Sequence, residues 1–152
     1  MAIFSKVFYA RLNSRQKENF NFQKVSGVLA DYGFSTIRLS DDWQGADFLA
    51  YHVNGSHFLK VQLKGVLTVD TKYKGKDIWI CFPDKTRQQW YLFPHDVFLD
   101  WRLFDPSNKK NNIGATKGWG GPANWGAVAT GAYSWPSLSK KDKKWLQPYV
   151  IS

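Results

Sequence analysis

One interval narrows the possible folds of this chain more than any other. Asp47, in Gly45-Ala46-Asp47-Phe48, opens a largely apolar run, which an Asn54-Gly55 pair interrupts before the chain returns as Val61-Gln62-Leu63-Lys64. Asn-Gly between two such runs signals a β-hairpin, because both residues tolerate the positive φ of a tight turn. A two-residue turn sets Val53 against Ser56, and opposed residues then carry numbers that sum to 109. The rule predicts strands near Ala46–Val53 and His57–Leu63, with Tyr51 opposite Phe58 and Asp47 opposite Gln62. Opposed side chains share a face, with Cβ atoms roughly 4.5–5.5 Å apart. Lys60 and Lys64 lie two residues either side of Gln62 and point to that same face. A carboxylate, an amide and an ammonium group therefore converge on one side of a hairpin.

The flanking segments predict an α/β chain. Phe22, Val25, Val28, Leu29 and Tyr32 recur at helical spacing, which places a helix over about Asn13–Tyr32. Asn13 or Ser14 is suited to cap its start, and Gly33 to stop it. Glu18 stands four residues before Phe22, at the end of the apolar stripe, so helical phase turns it inward. Ser35–Leu39 alternates as a strand, and Ser40-Asp41-Asp42 reads as a polar loop. Asp77–Phe82 and Gln89–Phe93 read as buried strands, and Pro94-His95-Asp96 as a helix start. Residues 107–126, rich in Asn, Lys, Gly and Trp, show no stable periodicity. Ser137-Leu138-Ser139 opens a last helix through Lys140–Gln147, which Pro148 ends. The order of elements places a mixed sheet at the centre of one domain spanning 1–152, with a core over about 13–104 and a C-terminal arm over about 105–152.

Charge and composition narrow the function classes. Lysine and arginine total 21 against 12 acids, for a net charge of +9, which suits a polyanionic partner. Eight Trp, seven Tyr and eleven Phe exceed what such a core consumes, leaving aromatic rings for an interaction surface. Cys81 is the single cysteine, so an intramolecular disulfide and a cysteine-rich zinc site are both excluded. It lies in the apolar run Ile78–Phe82 and reads as a buried structural thiol. No apolar stretch resembles a signal peptide or a membrane span, so the expected setting is cytoplasmic, without a membrane partner. No Gly-x-Ser-x-Gly elbow is present, and Gly118-Trp119-Gly120-Gly121 lacks the lysine of a phosphate-binding loop. His52 and His57 oppose each other under the 109 rule, but on the face away from Asp47, where a packed pair is expected rather than a metal site.

Glu18, Asp47 and Gln62-x-Lys64, in that order and setting, resemble the PD-(D/E)xK nuclease superfamily over roughly residues 13–100. The superfamily includes restriction enzymes and Holliday-junction resolvases. The resemblance implies a restriction-endonuclease-like mixed central sheet flanked by helices, here followed by an irregular Trp/Gly/Lys-rich C-terminal arm. It also implies a metal-dependent DNA endonuclease using Mg²⁺ or Mn²⁺, which bind carboxylate oxygens readily. Asp47, Glu18, the Leu63 backbone carbonyl and Gln62 would hold the metal, and Lys64 would orient the attacking water. Gln62 departs from the pattern, since most members carry Asp or Glu there and an amide offers only a neutral oxygen. That loss of charge weakens the expected metal affinity, with Glu18 as the compensating acid.

Double-stranded or branched DNA is the implied partner, and a homodimer the simplest way to cut two strands. Lys60, Lys72, Tyr73, Lys74, Lys76, Lys109, Lys110, Lys117 and Trp119 are the expected nucleic-acid contacts, with lysines on phosphates and aromatic faces on bases. The alternatives are a nucleic-acid-binding module of the same fold without full activity, and a protein-interaction factor. On the residues alone, an ordinary solvated sheet face remains open.

Overall fold

The computed structural model describes residues 2–104 and 131–152. Helix α1 (Ser14–Asp31) begins where the sequence places it. Asn13 accepts the Gln16 N–H at 2.9 Å, and the Gln16 side chain accepts the Asn13 N–H at 2.9 Å, closing a capping box. Gly33, at φ +84°, ends the helix in the left-handed conformation that favours glycine. Asn21, Val25 and Leu29 form its buried stripe, with Phe22 and Val28 packed alongside. Tyr32 caps the C-terminus and is 45% exposed, so the apolar stripe stops at Leu29 rather than reaching Tyr32.

Strands β1 (Phe34–Trp43), β2 (Ala46–His52) and β3 (Phe58–Leu63) follow as an antiparallel meander. Ser40-Asp41-Asp42 belongs to β1 rather than to a loop. An irregularity in the register between Arg38 and Trp43 lets this exposed edge strand carry polar residues past the ladder. The hairpin register keeps the sum of 109, with Tyr51 on Phe58 and Phe48 on Val61. Its turn is wider than two residues: His52 N–H reaches His57 O at 2.9 Å, and Asn54 accepts both the N–H and the hydroxyl of Ser56.

The chain then crosses over through β4 (Leu67–Asp70) and a short 3₁₀ turn (Thr71–Tyr73) to β5 (Ile78–Asp84), which runs parallel to β3. β6 (Gln89–Pro94) returns antiparallel and leads into α2 (His95–Leu99), continued by a wider turn over Asp100–Phe104. β7 (Ala132–Trp135), α3 (Lys140–Leu146) and β8 (Val150–Ile151) complete the described chain. Among these residues the strands form a six-stranded mixed sheet ordered β1-β2-β3-β5-β6-β8 and a two-stranded β4–β7 sheet.

Two cores explain the layering. On one face of the main sheet, Val25 and Leu29 of α1 pack on Phe48, Ala50, Leu59, Val61 and Cys81. On the other, Ile78, Ile80 and Phe93 pack on Leu67, Val69, Phe98, Tyr133, Trp135 and Leu146. Strand β5 is covered on both faces, which accounts for its uninterrupted apolar run. β4 and β7 were not expected from the sequence. Residues 132–151 of the expected arm fold onto the core, because Tyr133, Trp135 and Leu146 are fully or almost fully buried. The segment 107–126 lies outside the described residues. No helix among the described residues is long and apolar enough to cross a membrane.

Candidate active site

The site is built at the end of the sheet where β2 begins and β3 ends. Asp47 is the second residue of β2, after the buried Ala46. The backbone pairing of the two strands extends to Phe48 and Val61. Beyond it, Asp47 continues the link through its side chain, with Oδ2 accepting the Leu63 N–H at 2.7 Å. The carboxylate is thereby fastened to β3, and Oδ1 remains for a second partner.

The turn before Asp47 admits little besides glycine at position 45. Gly45 has φ +88°, and a Cβ there would lie 2.5 Å from the Tyr73 ring and 3.0 Å from Gln62 Nε2. Tyr73 and Gln62 thus brace the turn from behind.

A cleft of about 660 Å³ opens in front of Asp47, with room for a phosphodiester as well as an ion. Glu18 from α1, Asp47 from β2, and Leu63 with Lys64 from β3 all line it. Lys64 is fixed at the strand end, where its N–H donates to Cys81 O at 2.8 Å. Glu18 was expected to face inward. Its side chain is exposed and forms part of the cleft wall.

Burial holds the Asp47 carboxyl above its ordinary 3.8, although the Leu63 N–H and the Lys64 ammonium pull it down. Glu18 and Asp42 add to the upward push by repulsion. Asp47 remains open to solvent on the cleft side, so this desolvation comes from the walls around it rather than from full enclosure. The gathered negative charge is the kind that a bound cation relieves.

Gln62 stands apart from the other expected site residues. It is 2% exposed and does not line the cleft, and among the described residues no donor reaches its Oε1. Among the described residues no three His, Cys, Asp or Glu side chains form a ready cage for a metal. The donor set fits a sparsely held, largely hydrated Mg²⁺, which typically takes one or two carboxylates and completes its shell from water and phosphate.

The other expected contacts are more scattered. Lys60 reaches Gln44 Oε1 at 3.3 Å and lies 5.9 Å from the Trp43 ring centroid. Lys72 sits 4.8 Å from the Tyr73 ring centroid, and the half-buried Tyr73 packs on the core. Lys74 is paired with Asp100 at 2.6 Å, which ties the basic loop to the turn after α2, and Lys76 is exposed. Lys109, Lys110, Lys117 and Trp119 lie outside the described residues. His52 and His57 pack edge-on at 5.9 Å beside Phe34. Cys81 is fully buried, and burial pushes its thiol up, as suits an inert structural residue.

The sequence reading missed Arg15, Arg38 and Asp42, which line the same cleft. Arg38 bonds Asn19 and lies 5.4 Å from the Phe22 ring centroid. Only the position of Asp42 close before Gly45-Ala46-Asp47 hinted at any of them.

A mixed central sheet flanked by helices, with a helix before a three-stranded meander, is the architecture the resemblance implied; the strand parallel to β3 is seen only in the structure. The structure is similar to that of a bacterial homing endonuclease, at 23% identity and TM-score 0.43, covering 57% of this chain and 69% of that one. It is also similar to Hjc, a Holliday junction resolvase of Archaeoglobus fulgidus, at 18% identity and TM-score 0.41, covering 51% of this chain and 72% of that one. No protein-family model and no curated protein matches the chain.

Proposed function

We propose that this chain is a divalent-metal-dependent DNA endonuclease. The observation that carries the reading is the Asp47 carboxylate, fastened by the Leu63 N–H, opening into one cleft with Lys64 and Glu18. Asp47, with the Leu63 carbonyl and Glu18, would hold Mg²⁺ or Mn²⁺; when bound, the ion supplies charge for the phosphoryl oxygens and an acidified water. Lys64 neutralises the scissile phosphate and positions the nucleophile beside it. Glu18 adds negative charge on the metal side of the cleft, where Gln62 brings only a neutral amide. Arg15 and Arg38 supply cations at the cleft wall for the adjoining phosphates. A duplex cut in both strands calls for two such sites, as a homodimer provides.

The second reading is a nucleic-acid-binding module of the same fold without cleavage. The buried amide of Gln62, in place of an acid, favours it. Incubation with supercoiled plasmid separates the two. The endonuclease reading expects nicking in Mg²⁺ or Mn²⁺, none in EDTA, and a loss of at least about 100-fold in Lys64→Ala, the scale of removing a preorganised transition-state contact. Salt-sensitive binding without metal-dependent nicking would leave the module reading in its place.

A further inference from the structure

Beyond Lys64 the chain passes an exposed rim before Leu67 enters the core. Gly65 and Val66 are exposed, and a Cβ on Gly65 would meet nothing within 4 Å. On the far side of this rim lies a second groove of about 430 Å³, bounded by the β5–β6 turn and by α3. Gly65 lines this groove and Lys64 lines the cleft.

The groove is basic for reasons visible in its construction. Lys85, Arg87 and Lys143 line it, and all three are exposed. Its single lining acid is Asp84, which is occupied in shaping the turn. Asp84 Oδ1 accepts the Thr86 N–H at 3.0 Å, the Thr86 hydroxyl at 2.7 Å and the Arg87 N–H at 3.3 Å. Asp84 Oδ2 accepts the Tyr91 hydroxyl at 3.2 Å. The acid that would oppose an anion is therefore turned into the loop, and its bond to the Arg87 N–H fixes the backbone that carries Arg87. Lys85 also lies 5.7 Å from the ring centroid of Tyr9, whose hydroxyl accepts from Asn21 of α1.

We propose that this groove carries the phosphate backbone of the DNA next to the scissile phosphate, with Lys85, Arg87 and Lys143 as its anchors. The inference rests on the endonuclease reading for its substrate, and it extends the contact surface across the Gly65 rim to residues that the cleft does not contain. Charge complementarity favours a polyphosphate strand as the occupant, and the groove adjoins the cleft at the Lys64-Gly65 step.

The test is the salt dependence of binding to a fluorescent DNA duplex by anisotropy, in EDTA so that no cleavage intervenes. Lys85→Ala/Arg87→Ala/Lys143→Ala is compared with Lys140→Ala/Lys141→Ala/Lys144→Ala, which removes the same charge from α3 outside the groove. Each lost phosphate contact lowers the slope of log K against log salt by about 0.9, so the groove variant should lose roughly 2 to 3 from it. It should also bind at least about tenfold more weakly at moderate salt, while the control keeps most of its slope. Arg87→Glu alone, at a single exposed position, should weaken binding in the same direction if the triple variant does not fold. Wild-type binding with an unchanged groove variant, or equal losses in both triple variants, overturns the groove while leaving the cleft reading intact. Absence of any binding by the wild type at low salt overturns both. Binding with the expected slopes but no metal-dependent cleavage supports the groove and removes the endonuclease reading.

Discussion

At the scale of single residues, Asp47 is held at a cost to the fold. Its carboxyl keeps its proton to a higher pH in the folded chain than its ordinary 3.8, chiefly because of burial. A raised folded value stabilises the fold at pH below the ordinary value, and that contribution is lost as pH rises through the folded value. At pH 7 the charge therefore opposes folding, and Asp47→Asn, which keeps an acceptor for the Leu63 N–H, should raise the melting temperature. The gain should shrink as pH falls towards 4, where the wild-type carboxyl gains its proton. Melting curves at the two pH values check this, and a lower midpoint for Asp47→Asn at pH 7 would contradict it. The place of Asp47 at the end of the β2–β3 pair is legible in the sequence, since the Asn-Gly turn fixes the register. The fastening bond was not legible, because it forms where the backbone ladder has stopped. The expected pairing of Asp47 with Gln62 lies beyond the ladder, which ends at Phe48 and Val61, and the place of Gln62 behind the Gly45 turn depends on Tyr73, a residue brought in by the crossover.

At the scale of elements, local signals were strongest where the chain closes its own hydrogen bonds. The Asn13–Gln16 capping box and the Gly33 stop bound α1 within a residue or two of its expected ends. Asn13→Ala removes the acceptor for the Gln16 N–H and should cost about 1 kcal/mol. That corresponds to about 2–4 °C in melting temperature for a chain of this size, readable by circular dichroism. An unchanged midpoint would mean that α1 is held by its packing on Phe48 and Val61 alone. Elements whose pairing is distant in sequence were not legible. β4 pairs with β7 across more than sixty residues, with Leu67 on Trp135 and Val69 on Tyr133, so neither four-residue strand has its partner within its own stretch of sequence. The polar end of the long β1 carries no strand signal of its own. An edge strand needs only its backbone to pair, so that polarity did not end it.

For the whole molecule, the described C-terminal residues close the core beside the crossover. Arg102 and Asp142, 2% and 1% exposed, pair at 3.0 Å and join the turn after α2 to α3. Asp142 also accepts from the Ser139 backbone and hydroxyl at the start of α3. Burial pulls the Arg102 guanidinium down, and the Asp142 carboxylate counteracts it. Asp142→Ala takes away that carboxylate and one half of the α3 capping box. It should cost roughly 3–5 kcal/mol, a drop of at least about 6 °C in melting temperature. A loss below about 1 kcal/mol would mean that α3 does not brace the core. Ser139-Lys140-Lys141-Asp142 marks Asp142 locally as a capping residue, but nothing in the sequence points to Arg102 as its partner.

At the centre of the proposed site, Asp47 would hold a divalent cation beside the end of β3. Crystals grown with Mn²⁺ test this most directly through the anomalous signal of the ion. The account predicts one peak within about 2.0–2.3 Å of an Asp47 carboxylate oxygen and of the Leu63 carbonyl, as is usual for hard cations on oxygen, and its disappearance in Asp47→Asn. A Mn²⁺ peak elsewhere in the chain, or none in a preparation that cleaves DNA, would contradict it.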